Sequence, residues 1–138
     1  MHAELDKVLQ GHSAAVYCLY YEKQIKRLFS GSADQMVGAW DIENMEADPF
    51  SVRIEQAVFS IEKTADHLLV GQGAGGVHVI DERSKREIRH LKYHNRPIFQ
   101  ILSHPSKPYL YFLGGDGILS IVDSEAYALN WSLPISED

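Results

Sequence analysis

Cysteine is nearly absent from the 138 residues: Cys18 stands alone, which excludes an intrachain disulfide. Flanked by Tyr17 and Leu19, it reads as a small core residue and suits a reducing compartment. Apolar runs are short, and none approaches the roughly 18 residues that a transmembrane helix needs. The first residues, Met1 to Lys7, have no basic segment followed by an apolar one and do not read as a signal peptide. Positive charge is in deficit. The formal net charge of −6 argues against nucleic acid or an anionic membrane surface as a partner, because both attract a positive field. No long segment keeps a helical period, so no helix is expected. A cytoplasmic location follows as the expectation, with the nucleus as the alternative.

A repeat is present. Leu28–Asp41 reads LFSGSADQMVGAWD, Leu68–Asp81 reads LLVGQGAGGVHVID, and Leu110–Asp123 reads LYFLGGDGILSIVD. Each is an apolar strand, a tight turn of Gly, Ala and Asp, a second apolar strand and a closing Asp, which is a hairpin pattern. Upstream of each hairpin lies another apolar run: Val16–Leu19, Val58–Ile61 and Ile98–Ile101. Downstream lies a more polar strand: Phe50–Ile54, Arg86–Leu91 and Ala128–Leu133. Units of four strands recurring about every 40 residues are the pattern of propeller blades. The predicted fold is all-β: one region, 1–138, forming a partial propeller of about three blades, each a four-stranded antiparallel sheet. The repeat units run approximately 5–49, 50–85 and 86–138.

Gly11-His12 followed by Trp40-Asp41 resembles the Gly-His…Trp-Asp signature of the WD-repeat β-propeller family. The resemblance implies a buried hydrogen-bonded tetrad, here His12, Ser30, Asp34 and Trp40. The third unit keeps His94 and Asp116 but has Phe112 at the hydroxyl position and Val122 at the Trp position. The second has Val70, Ala74 and Ile80, with no His ahead of its first strand. The resemblance also implies a non-catalytic scaffold that binds proteins or peptides through blade loops and the channel mouth. The alternatives are an enzyme built on a propeller and a structural half that only completes a ring.

Other patterns carry less. Gly71–Gly76 fits G-x-G-x-x-G, but a dinucleotide site needs a following helix, and Val77–Asp81 reads as a strand. Seven histidines offer no helical His-x-x-x-His pair and no Cys partner, so neither metal nor cofactor is expected. No catalytic set stands out. Asp41, Asp81 and Asp123 recur at one position, which points to turn duty.

Two groups read as either structural or partner-binding. Tyr17, Phe59 and Phe99 are the second residues of the three inner strands. They serve interblade packing, or they form part of an aromatic ring at the channel mouth, a place where the family often holds a peptide side chain. Lys85, Arg86 and Arg89 stand in the basic run Arg83–Lys92, which is a solvated turn and outer strand or a dock for an acidic partner. Asn95 and Arg96, beside His94, join these candidates.

Three blades cannot close a ring. A strand-like piece at 6–10 would be an outer strand in surplus, which fits the start of a longer propeller. The competing reading is a homo-oligomer that builds the ring from copies. Either way the end blades are expected to leave Val16, Leu19, Ile101 and Ile118 uncovered.

Overall fold

The computed structural model describes residues 9–135. Its strands form three antiparallel sheets of four. The first holds β1 (Val16–Glu22), β2 (Arg27–Ser32), β3 (Met36–Asp41) and β4 (Glu46–Arg53). The second holds β5 (Val58–Thr64), β6 (His67–Gln72), β7 (Gly76–Asp81) and β8 (Arg86–Lys92). The third holds β9 (Ile98–Ser103), β10 (Tyr109–Gly114), β11 (Ile118–Asp123) and β12 (Leu129–Pro134). Among the described residues, the one helical piece is a 3-10 turn at Lys23–Ile25. Residues 6–8 of the expected first strand lie outside the described residues, and Leu9 and Gln10 belong to no strand.

The sheets are staggered against the repeat units of the sequence. Units 50–85 and 86–138 open on an outer strand, whereas each sheet opens on an inner one. β4 and β8 therefore close the sheet that precedes them.

Period-two alternation divides each sheet between its neighbours. Phe29, Val37 and Ala39 of the first sheet pack on Val58, Ile61, Leu68, Val70 and Ile80 of the second. Leu69, Val77 and Val79, on the other face of the second sheet, pack on Ile98, Ile101, Leu110, Phe112 and Val122 of the third. Strand β6 reads as a continuous apolar run because both of its faces are covered. Each such side chain contributes about 1.5–3 kcal/mol on burial. Blades approach closely at Gly71, where an added Cβ would lie 2.1 Å from Ser60 Oγ and 2.9 Å from Ile98. A charge network also ties the first two blades: Arg27 bonds Glu22 at 2.9 Å and pairs with Glu82, while Lys63 pairs with Glu22 and lies 2.9 Å from Glu82. Burial works against the Glu22 charge, but the Lys63 and Arg27 contacts outweigh it and hold its carboxyl below the ordinary range.

The end blades differ as their positions require. Leu19, Ile61 and Ile101 are equivalent on the inner strands, yet Leu19 is 62% exposed while Ile61 and Ile101 are buried at 7% and 3%. Val16 is 50% exposed, against 0% for its equivalents Val58 and Ile98. Ile101 thus departs from the expected exposure. Side chains at this position face the preceding blade, and Ile101 has one to face. Ile118 is half-buried. On the opposite side Tyr111, Leu119 and Ile121 occupy the places of buried Leu69, Val77 and Val79 and are only half-buried.

Candidate functional site

In the first blade four side chains from separate segments meet. His12 Nδ1 lies 3.0 Å from Asp34 Oδ2, and His12 Nε2 lies 2.6 Å from Ser30 Oγ. The Trp40 indole N–H donates to the same Oγ at 2.8 Å. The set satisfies itself when Nδ1–H donates to the carboxylate and Nε2 accepts the Ser30 hydroxyl proton. Asp34 also accepts from the N–H groups of Ser13 and Met36, at 2.9 Å each. Gly11 belongs to this arrangement for a steric reason: a Cβ there would lie 2.6 Å from Trp40 Cη2.

The third blade completes the same chain by another route. His94 Nδ1 lies 3.0 Å from Asp116, and His94 Nε2 lies 2.7 Å from Ser120 Oγ. Ser120 is the cross-strand partner of Phe112, as Gly38 is of Ser30. The hydroxyl and its small or large neighbour have exchanged strands. Sequence reasoning missed Ser120 because it searched only the Ser30 position; the pairing register of the hairpin was the signal that would have found it.

Both carboxylates report on pH. Burial disfavours the charge on Asp34, and the bonds from Ser13, His12 and Met36 outweigh it, holding the carboxyl below the usual range. Asp116 is likewise lowered: burial opposes the charge, and His94 and the Ile118 N–H overcome it. A depressed folded value stabilises the fold above the unfolded Asp pKa of about 3.9 and loses that contribution as pH falls through the folded value. Denaturation midpoints should therefore drop as pH is lowered from about 5 towards 2, and Asp34→Asn should flatten the slope. An unchanged slope in the variant would count against the tetrad as a source of acid lability.

The second blade lacks the tetrad. Ile54 stands where the others have His, and it is buried. His78 occupies the place of Gly38 and Ser120. It pairs with Glu87 through Nδ1, and its ring stacks on His90 with centroids 4.5 Å apart and planes 7° from parallel. Among the described residues, this trio is the set whose donor atoms lie close enough to hold a metal ion.

At the N-terminal ends of the inner strands the structure brings the three aromatics together. Tyr17 stacks on Phe59 with centroids 4.9 Å apart, and Phe59 meets Phe99 edge-on at 5.8 Å. Tyr17 and Phe99 are about half exposed, at 50% and 54%. Phe59, with a blade on either side, is half-buried between them, and the three rings line one continuous surface. One backbone bond, repeated in every blade, sets its height: Ala33, Gly73 and Gly115 donate to the carbonyls of Ala15, Ala57 and Pro97 at 2.8–3.0 Å. These small turn residues leave room for the rings. A Cβ on Gly73 would lie 3.3 Å from Phe59, and one on Gly115 would lie 3.1 Å from Phe99 and 3.4 Å from Arg96 Cβ. Arg96 therefore shares the mouth with Phe99. Exposed Asn95 is tied beside it by its N–H to Asp116, at 3.4 Å.

The basic residues are not brought together in this way. Lys85 lies over the Phe50 ring of the first blade at 5.8 Å, while Arg89 reaches the Ala126 carbonyl of the third at 3.3 Å. Arg86 is exposed between them. The repeated aspartates cap turns: Asp41 accepts from Asn44, Asp81 from the Arg83 N–H, and Asp123 from the Glu125 and Ala126 N–H groups. Gly71–Gly76 spans the end of β6, the turn and the first residue of β7, with strand and no helix following. Burial pushes the Cys18 thiol up to about 11, which keeps it a neutral thiol near pH 7.

No family model matches the chain. Over 44 residues, 32% of its length, it is 46% identical to the WD repeat-containing protein AAC3 of Dictyostelium discoideum. Two solved structures, described as the WD40 repeats of RRP9 and as U3-55K, superpose with a TM-score of 0.86 each over 96% of the chain, at 15% identity. The fold is that of WD40 propeller blades. The chain spans 9% of the length of AAC3 and 42% and 43% of the two solved chains. Among the described residues no helix is long and apolar enough to cross a membrane.

Proposed function

We propose that this chain is a non-catalytic interaction scaffold that grips a protein or peptide partner at the mouth formed by Tyr17, Phe59 and Phe99. The aromatic row, exposed at Tyr17 and Phe99, carries the reading. Rings held in place by stacking and by a repeated backbone bond give large contact area at small entropic cost. Asn95 and Arg96 border the row and supply polar contacts for orientation. The rings offer no activated nucleophile and no acid–base pair, which supports binding over chemistry. Affinity capture with the full chain tests the reading. Proteins retained by the wild type should fall about ten-fold or more with Tyr17→Ala/Phe99→Ala, a loss within the range of two hot-spot truncations. Equal retention by that variant would overturn it.

A second reading rests on the uncovered blade faces. Val16 and Leu19 on one end, and Tyr111, Leu119 and Ile121 on the other, occupy places that are buried where a neighbouring blade exists. We propose that a further blade covers each, supplied by a second copy in head-to-tail contact or by another propeller segment. Light scattering across a dilution series should show mass above the 15.6 kDa of one chain and a denaturation midpoint that rises with concentration. A monodisperse single chain with a concentration-independent transition would show that three blades stand alone.

A further inference from the structure

We propose that His78, Glu87 and His90 form a binding site for a transition-metal ion of the zinc class on the outer rim of the second blade. The site is a product of strand register. His78 on β7 and His90 on the outermost strand β8 are direct cross-strand partners, so their imidazoles stack against each other. Glu87 lies three positions before His90, and in a regular strand that odd spacing would put the two on opposite faces. A bulge corrects it. Pairing runs Val79 with Arg89 and then Ile80 with Glu87, which leaves Ile88 as the extra residue and returns Glu87 to the face of His78 and Ile80. One donor atom from each of the three lies within 4.8 Å of the others.

The chemistry of the donors points to a metal ion. His78 is 6% exposed, and with Nδ1 engaged by Glu87 its Nε2 is buried without any hydrogen-bond partner. A neutral imidazole in that state presents a lone pair that no protein donor satisfies. With Glu87 engaging Nδ1 and so orienting the ring, His78 Nε2 and the His90 imidazole are donors that suit zinc, copper or nickel rather than magnesium or calcium, with positions left for water. Glu87 and His90 are exposed, and His78 and Glu87 border a cleft also lined by Arg53, Ile54, Glu55 and Lys85, so an ion has a path in. Arg53 and Lys85 add positive charge there, which sets the affinity below that of an all-acidic rim, whereas Glu55 opposes them.

The test titrates the full chain, stripped with a chelator, with Zn2+ alone in a calorimeter, alongside Co2+ as an absorption probe. One ion per chain is expected, with a rise in thermal midpoint at saturation. His90→Ala and Glu87→Gln alter exposed residues of an edge strand, and each should weaken binding by about ten-fold or more and abolish the rise. His104→Ala, remote from the trio in the chain, should change neither. Absence of saturable uptake, or uptake that survives both His90→Ala and Glu87→Gln, would overturn the site.

Discussion

Replacing Trp40 by alanine should lower the stability of the folded chain by about 3–5 kcal/mol. Two losses combine. The indole is 9% exposed, and truncation leaves a void beneath Gly11, whose backbone rests against the ring. Ser30 Oγ also loses the donor that completes its bonding with His12. Ile80→Ala and Val122→Ala, at the equivalent positions, remove less surface and orphan no polar partner, so each should cost less. Urea midpoints at constant slope check the ranking. Equal midpoints for Trp40→Ala and wild type would remove the tetrad as a stabilising element.

Phe112→Ser should be comparably damaging, at about 3–5 kcal/mol, although it places in the third unit the residue that Ser30 is in the first. Phe112 is fully buried and packs among Leu69, Ile98 and Ile101 at the interface with the second blade. The hydroxyl it would introduce is not needed, because Ser120 already bonds His94 from the neighbouring strand. Ser120→Ala, by contrast, should cost about 1–3 kcal/mol, the penalty for leaving a buried ring nitrogen unpaired. A neutral or stabilising Phe112→Ser would mean that the exchange of strands between Ser120 and Phe112 is not how this blade satisfies His94.

The residues that were legible in the sequence are those whose signal is local. Three hairpins showed through Gly-rich turns and apolar runs, because turn conformation and alternation are decided within a few residues. His12, Ser30, Asp34 and Trp40 were legible through a family motif. Ser120 was not, since its role depends on which residue faces Phe112 across the hairpin. The trio of His78, Glu87 and His90 was hidden more deeply: it needs the β7–β8 register and a bulge, and neither leaves a mark in spacing. Ile101 reads as an open-face residue from its place in the last unit, whereas its side chain points back to the second blade. The basic run looked like one patch in sequence, but Lys85 and Arg89 turn to opposite neighbours.

Hydrogen–deuterium exchange on the chain with and without a captured partner tests the proposed binding surface most directly. Protection should concentrate on the segments that build the aromatic mouth, residues 14–17, 56–59 and 95–99, and on the turns at Ala33, Gly73 and Gly115 that support it. Protection confined to the outer strands β4, β8 and β12, with the mouth unchanged, would contradict the account.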